Sequence, residues 1–301
     1  MSEPSFFSVK SSPIESKDIV NASELSRLTE CGLRAVDVSG ALIREYIRKP
    51  FQIEVKGDGS PATSVDQAVE DQMREIIAGE HPDHGILGEE RKAIAPDSEF
   101  VWAIDPIDGT LPFLAGIPVF GTLLALLHNG IPVLGIIDMP MTAERWIGAD
   151  GRQTTRNGRP VHTRGCADLS MALMSTSNPD YYDHTNAPAL ERLKQATRFA
   201  VYGGSCMFYA QIASGRVDIC IDVGFKVWDY VALIPVVQGA GGVFTDWEGC
   251  AAGLHTGSQY IAAGDPRIHE QALNVLSCQT ESNSTCAKAE IQGSKKCEQT
   301  E

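Results

Sequence analysis

The 301 residues read as a mixed α/β and α+β chain built in two parts. Three observations predict this. Two long segments with apolar residues at helical spacing open the chain, and a run of apolar strands follows them. Beyond about residue 155, short strands alternate with helices, the pattern of an α/β layer. Within the first part lies Trp102-Ala103-Ile104-Asp105-Pro106-Ile107-Asp108-Gly109-Thr110. This strand-forming run ends in a carboxylate and is expected to turn sharply there. It presents a second carboxylate three residues on and closes with Gly-Thr at a helix start.

Residues 1–22, rich in Ser and Pro, read as a flexible lead-in. A helix is expected to begin after Ser23 and run towards Arg48, with Leu25, Leu28, Leu42 and Tyr46 on its apolar side. Pro50 ends it, and a Gly-rich loop follows (Lys56-Gly57-Asp58-Gly59-Ser60-Pro61). Thr63-x-x-Asp66 then reads as a capping box with Asp in place of Glu or Gln. The helix it opens places Val65, Val69, Met73 and Ile76 on one face and stops at Gly79. Short strands are expected at Gly85–Leu87 and Phe100–Ile104. The stretch from Ile117 to Pro140 is the most apolar, but Pro118, His128, Asn129-Gly130 and Pro132 interrupt it. It therefore reads as two buried strands joined at the Asn-Gly turn rather than as a membrane span. A strand near Arg145–Gly148 and an Asp150-Gly151 turn complete this part, taken as residues 23–155.

The second part, residues 156–277, predicts strands at Ser170–Ser175, Arg198–Tyr202, Val217–Val223, Gly242–Asp246 and Tyr260–Ala263. Helices fall near Ala187–Ala196, Ser205–Ala213, Trp228–Gln238 and Pro266–Leu276. Residues 278–301 are polar, with hardly any large apolar side chain, and predict a disordered tail.

Composition narrows the class. The chain is 43% hydrophobic and 21% charged, as a globular protein is. Its net charge is −14, and no Lys/Arg-rich run appears, which speaks against a nucleic-acid partner. An acidic protein still binds an anionic small molecule when bound metal reverses the local potential. The eight cysteines (Cys31, Cys166, Cys206, Cys220, Cys250, Cys278, Cys286, Cys297) form no C-x-x-C pair, so no zinc ribbon or thioredoxin motif is predicted. Their wide spacing, and an N-terminus without an apolar leader, predict free thiols in a reducing, cytoplasmic setting. The seven histidines show no metal-like spacing, and Trp102 and Trp247 read as core residues.

Asp105 and Asp108 offer two hard oxygen ligands beside an anion-binding helix start, which suits magnesium and phosphate. The Ile107 carbonyl can face the same ion. Gly88-Glu89-Glu90 follows a short apolar strand, and Trp228-Asp229 opens an apolar helix. Taken singly, each has a plainer reading: a solvated turn, a solvated acidic pair, a helix cap.

Together these segments resemble the inositol monophosphatase superfamily of lithium-sensitive, magnesium-dependent phosphatases. Gly88-Glu89-Glu90, Asp105-Pro106-Ile107-Asp108-Gly109-Thr110, and Trp228-Asp229 with downstream Gly239-Ala240-Gly241-Gly242 stand in the family's order. The resemblance spans about residues 25–275. It implies a layered αβαβα sandwich of the inositol monophosphatase and fructose-1,6-bisphosphatase type, and a homodimer. It implies Glu89, Asp105, the Ile107 carbonyl, Asp108 and Asp229 as ligands of two or three Mg²⁺ ions, with Mn²⁺ as a substitute. It makes Gly109 and Thr110 the phosphate cradle, and Asp66 and Thr110 the pair orienting the attacking water, with Glu89 nearby. Lys56 is left as a screening charge.

For the alcohol part of the ester, Tyr202-Gly203-Gly204-Ser205-Cys206 and the stretch Gly224 to Pro235 resemble the histidinol-phosphatase branch, which implies L-histidinol phosphate as substrate. Three departures are visible. Leu111-Pro112 replaces polar residues, Ser205 stands where the branch carries Asp, and Asp222 where it carries Glu. Inositol 1-phosphate, or another polyol or sugar phosphate, is the alternative ester. A non-catalytic metal-binding regulator of the same fold is the alternative role.

Overall fold

The computed structural model describes residues 20–57, 61–254 and 257–277. The expected lead-in and tail fall largely or wholly outside them. Two helices that pack together come first, α1 (Ala22–Tyr46) and α2 (Ser64–Glu80), with the small β1 (Ile53–Val55) and β2 (Pro61–Thr63) pair between them in sequence. Asn21 caps α1 by accepting from the Glu24 N–H at 2.9 Å. The Thr63–Asp66 capping box of α2 forms with Asp in the usual Glu place. Along α2 the core face is Val65, Val69, Met73 and Ile77. Ile76, expected on that face, packs only at its edge.

A seven-stranded sheet follows, in the order β3-β4-β5-β6-β7-β8-β9. Its strands are β3 (Gly85–Gly88), β4 (Phe100–Asp108), β5 (Gly121–His128), β6 (Ile131–Met139), β7 (Glu144–Ala149), β8 (Thr155–Arg156) and β9 (Arg159–Pro160), with the short helix α3 (Thr110–Ala115) after β4. The sheet thus runs five residues past the expected boundary at 155. Asn129 and Gly130 take φ of 49° and 79°, the two-residue turn that matches strand twist.

The second sheet has the order β11-β10-β12-β14-β13, from β10 (Leu173–Thr176), β11 (Phe199–Tyr202), β12 (Ile219–Asp222), β13 (Val243–Asp246) and β14 (Tyr260–Ala263). Its helices are α4 (Ala187–Ala196), α5 (Cys206–Ala213), α6 (Val227–Tyr230), α7 (Leu233–Gly239) and α8 (Pro266–Ser277). The helix expected over 228–238 is broken between α6 and α7. Pro235 has no N–H to give the Val231 carbonyl and its ring crowds that group.

The layers run α1/α2, first sheet, α5–α7, second sheet, α4/α8. Strands β4, β5 and β6 of the first sheet are covered on both faces, which is why they read as nearly continuous apolar runs. Leu124 and Leu126 of β5 enter the core under α1 and α2, while Leu123, Ala125 and Leu127 enter the core under α5–α7. Gly135 and Gly148 let α6 and α7 sit directly on this sheet. A Cβ at Gly135 would meet the Ala232 carbonyl oxygen at 2.0 Å, and one at Gly148 the Pro235 carbonyl oxygen at 2.2 Å.

Candidate metal and phosphate site

The strand β4 does not turn at Asp105, as the sequence suggested, but continues to Asp108 through an irregularity. Asp105 pairs with Leu123 and Asp108 with Gly121, so three steps on β4 match two on β5. In a regular strand, residues three apart point to opposite faces. The extra residue returns Asp108 to the face of Asp105. Pro106, with no N–H to place in a ladder, suits the bulge. Both aspartates line one cavity of about 740 Å³.

Glu89 follows β3, which runs parallel to β4, and its N–H bonds the Ile104 carbonyl at 3.3 Å. Asp229 comes from α6, more than a hundred residues away. Oxygens of Glu89, Asp105 and Asp229 lie within 4.8 Å of one another. Asp229 is also the helix cap that its position suggested, accepting the Lys226 N–H at 2.7 Å. Asp108 accepts the Cys206 N–H at 2.6 Å, at the start of α5.

The acids of the cluster are crowded and buried. Burial, then the charges of Glu89, Asp108 and Asp229, push the Asp105 carboxyl well above the ordinary carboxylate range. Burial, then Glu89 and Asp108, do the same to Asp229 against the pull of the Lys226 N–H. Burial lifts Asp108 to about 6 despite its bond to Cys206. Asp105 Oδ1 is buried with no hydrogen-bond partner. An orphaned carboxylate oxygen among all-oxygen donors fits a hard divalent ion. Lys56 Nζ lies 2.6 Å from both Glu89 and Glu90. Burial opposes its charge, but the two glutamates hold its pKa above the ordinary lysine value.

Gly109, at φ 87°, and Thr110 open α3 at the cavity wall, and the Thr110 hydroxyl donates to the Ile107 carbonyl at 3.3 Å. Ile107, Gly109, Thr110 and Ser205 all line the cavity. Asp66 does not. It is buried behind the cluster, and its Oδ2 caps α2 by accepting from the Thr63 N–H at 2.8 Å and from the Thr63 hydroxyl. Asp222, expected to meet the substrate, is 1% exposed and also absent from the cavity wall. Four donors hold its carboxylate at 2.8–2.9 Å: the Thr176 hydroxyl, the Ser177 N–H and hydroxyl, and the Tyr209 hydroxyl.

Ser177, Asn178, Tyr181, Tyr202, Phe225 and Lys226 also line the wall. Tyr202, Phe225 and Lys226 lie in the two stretches that resemble the histidinol-phosphatase branch, whereas no motif singled out Ser177, Asn178 or Tyr181. Most follow the carboxyl ends of the parallel strands β10, β11 and β12, where open α/β sheets place ligands. A second cluster also escaped the sequence reading. Cys31, Glu80 and His81 bring ligand atoms within 4.8 Å, but the Arg34 guanidinium engages both Glu80 oxygens, and burial pushes the Cys31 thiol up to about 12. Cys31, Cys166, Cys206, Cys220 and Cys250 are free thiols, as expected of a chain without disulfides among its described residues.

Five alternating layers with an acidic cluster between the sheets, open to a cavity beside a helix start, define the class of metal-dependent phosphoric monoester hydrolases. The chain belongs to the inositol monophosphatase family, whose model matches residues 24–281. It is 43% identical over 271 residues to the bifunctional phosphatase IMPL2, chloroplastic, of Arabidopsis thaliana, covering 87% of this chain and 78% of that one. It is 35% identical over 236 residues to a histidinol-phosphatase of Mycobacterium tuberculosis, covering 75% and 88%. Among solved structures, an inositol monophosphatase from Zymomonas mobilis superposes with a TM-score of 0.78 at 37% identity, covering 84% of this chain and 98% of that one.

Proposed function

We propose that this protein hydrolyses the phosphate monoester of a small, uncharged polyhydroxy alcohol, with Mg²⁺ held by Glu89, Asp105, the Ile107 carbonyl, Asp108 and Asp229. The convergence of Glu89, Asp105 and Asp229, with one Asp105 oxygen left unpartnered, carries the reading. Bound there, the metal supplies an acidified water and charge neutralisation at the leaving oxygen. The chain's own residues do the rest. In this reading the amides of Gly109 and Thr110 seat the phosphate, and the Thr110 hydroxyl orders the attacking water. Asp66 supports that side of the cluster through its α2 cap and its field.

The alcohol end of the cavity decides the ester class. Among the described residues its only carboxylates are those of the metal cluster; the remaining polar groups include Ser177, Asn178, Tyr181, Tyr202, Ser205 and Lys226. A bound ammonium needs a carboxylate partner to offset its desolvation, and Asp222 is withdrawn from that task. Hydroxyl-rich alcohols match the neutral donors and acceptors. L-histidinol phosphate is the second reading, supported by the histidinol-phosphatase relatives and the stretch from Gly224 to Pro235. A homodimer is proposed on the family resemblance, and sedimentation would test it. No helix among the described residues is long and apolar enough to cross a membrane. A cytoplasmic setting rests on the sequence alone, beside a relative whose name places it in the chloroplast.

The test is phosphate release by the chelator-stripped protein from inositol phosphates, sugar phosphates and L-histidinol phosphate, with and without Mg²⁺. Release from a polyol or sugar ester only with Mg²⁺ is expected. Release unchanged by chelator, or from no ester, would overturn the phosphatase reading. A preference for histidinol phosphate would overturn the neutral alcohol and install the second reading.

A further inference from the structure

We infer that Glu70, a residue outside the cavity, is the positioning residue that sets the metal affinity of this site by clamping the loop that carries Glu89. Glu70 lies one turn beyond Asp66 on α2 and is fully buried. Its Oε2 accepts the Glu90 N–H at 2.7 Å, and its Oε1 accepts the Arg91 N–H at 3.2 Å. Arg74, one further turn along, donates to Oε1 at 2.7 Å and to the Arg91 carbonyl at 3.2 Å. The peptide groups on the far side of Glu89 are therefore held to α2. On its near side, the Glu89 N–H bonds the carbonyl of Ile104, the residue before Asp105.

Glu89 thus sits between two anchors, one on the strand of Asp105 and one on the helix of Asp66. Gly88 makes the second anchor sterically feasible. A Cβ there would stand 2.1 Å from Glu70 Oε1 and 2.8 Å from Arg74 Nη2. Arg74 balances the Glu70 charge, so the clamp orders the loop without adding unpaired negative charge to the cluster. Groups that orient a metal ligand typically change metal affinity 10- to 100-fold when removed.

The inference rests on the metal site proposed above, and its test separates the two. Mn²⁺ and Mg²⁺ binding to the chelator-stripped full chain is measured by calorimetry without substrate, alongside kcat at saturating Mg²⁺. Glu70→Gln, which loses one acceptor, is expected to weaken metal binding about 10-fold or more and raise half-saturating Mg²⁺ in step, with kcat at saturation within about 3-fold. Gly88→Ala, which drives a methyl into the clamp, is expected to act in the same direction. Arg74→Lys keeps the charge and drops the bridge to Arg91, and a smaller loss is expected. Asp71→Asn frees only the Arg91 side chain and is expected to leave metal affinity unchanged. A lower melting temperature in Glu70→Gln or Gly88→Ala with wild-type metal affinity would overturn the clamp. Weaker binding in these variants, with no ester hydrolysed by any of the proteins, would keep the clamp and remove the phosphatase reading. A wild-type chain that binds neither ion would remove both.

Discussion

The carboxylate of Asp108 accepts the backbone N–H of Cys206 at 2.6 Å, and through that bond the first sheet reaches the opening turn of α5. Asp108 ends β4, and α5 packs between the two sheets, so the site is assembled across both parts of the chain. Ser205, just before, takes φ 45° and ψ −139°, a conformation that is costly for a non-glycine residue. It stands against Gly109, where a Cβ would lie 2.7 Å from the Ser205 hydroxyl oxygen. The close approach brings the proposed phosphate seat against the alcohol end of the cavity.

Removing a ligand carboxylate has opposite effects on chemistry and on the metal-free fold. Asp105→Asn or Asp229→Asn is expected to lower Mg²⁺-dependent turnover on the order of 10³-fold, a few kcal/mol of lost transition-state stabilisation. The metal-free variant should melt no lower than wild type, because burial and like charges already disfavour the ionised aspartates. Phosphate release and thermal melting in chelator check both halves. A folded variant with near-wild-type rate contradicts the ligand assignment.

Restoring a charge at the alcohol end tests the neutral subsite. Ser205→Asp is expected to raise kcat/KM for histidinol phosphate relative to inositol 1-phosphate about 10-fold or more, the scale of a hydrogen bond to a charged group. Ser205 already holds this backbone conformation without being glycine, so the strain is common to both side chains. Competition kinetics with the two esters measures the ratio, and an unchanged ratio places the selecting group elsewhere.

Gly148→Ala tests the contact that seats α6 and α7. The new methyl would meet backbone atoms of Pro235 and Val236 at 2.2–2.4 Å, and backbone cannot rotate away. A loss of about 1–3 kcal/mol is expected, the usual cost of overpacking a core. Mg²⁺ affinity should fall with it, since α6 carries Asp229. Denaturant melts and calorimetry report the two effects separately.

His84 predicts an acid-sensitive step. Burial, then the nearby His81, lowers its pKa to about 4, and its Nδ1 accepts the Trp102 indole N–H at 3.1 Å. Above about pH 6.5 the ring is neutral in both folded and unfolded chains and contributes no slope. As pH falls from 6.5 towards 4, the unfolded chain takes up the proton first, so stability is lost through that window. His84→Gln should flatten the slope of melting temperature against pH between 6.5 and 4, measured in chelator. A slope equal to wild type would assign the acid sensitivity to other groups.

Much of the site was readable because its residues cluster in short motifs. Asp105, Asp108, Gly109 and Thr110 lie within six positions, and Glu89 follows an apolar run whose role as a strand was clear. The geometry that joins the aspartates was not readable. A bulge and a turn use the same Pro-containing spacing, and only pairing with Leu123 and Gly121 distinguishes them. The break between α6 and α7 was signalled by Pro235 but masked by the apolar residues around it. Glu70 gave only the ordinary i, i+4 spacing to Arg74, and nothing local pointed to its loop partners, backbone amides about twenty residues away.

Sequence alone determined most of the elements, because hydrophobic period is a local property written along the chain, and its ordered motifs carried the resemblance that implied the family, its layered sandwich and the candidate acidic residues. Tertiary structure alone decided which acids face the cavity. Asp222 and Asp66 carry the same side chain as Asp105, yet neighbouring hydroxyl and amide donors hold their carboxylates behind the wall. Asp105 retains one oxygen without a donor. Whether a carboxylate is free to meet a ligand depends on the donors that packing sets around it, and those donors come from segments distant in sequence.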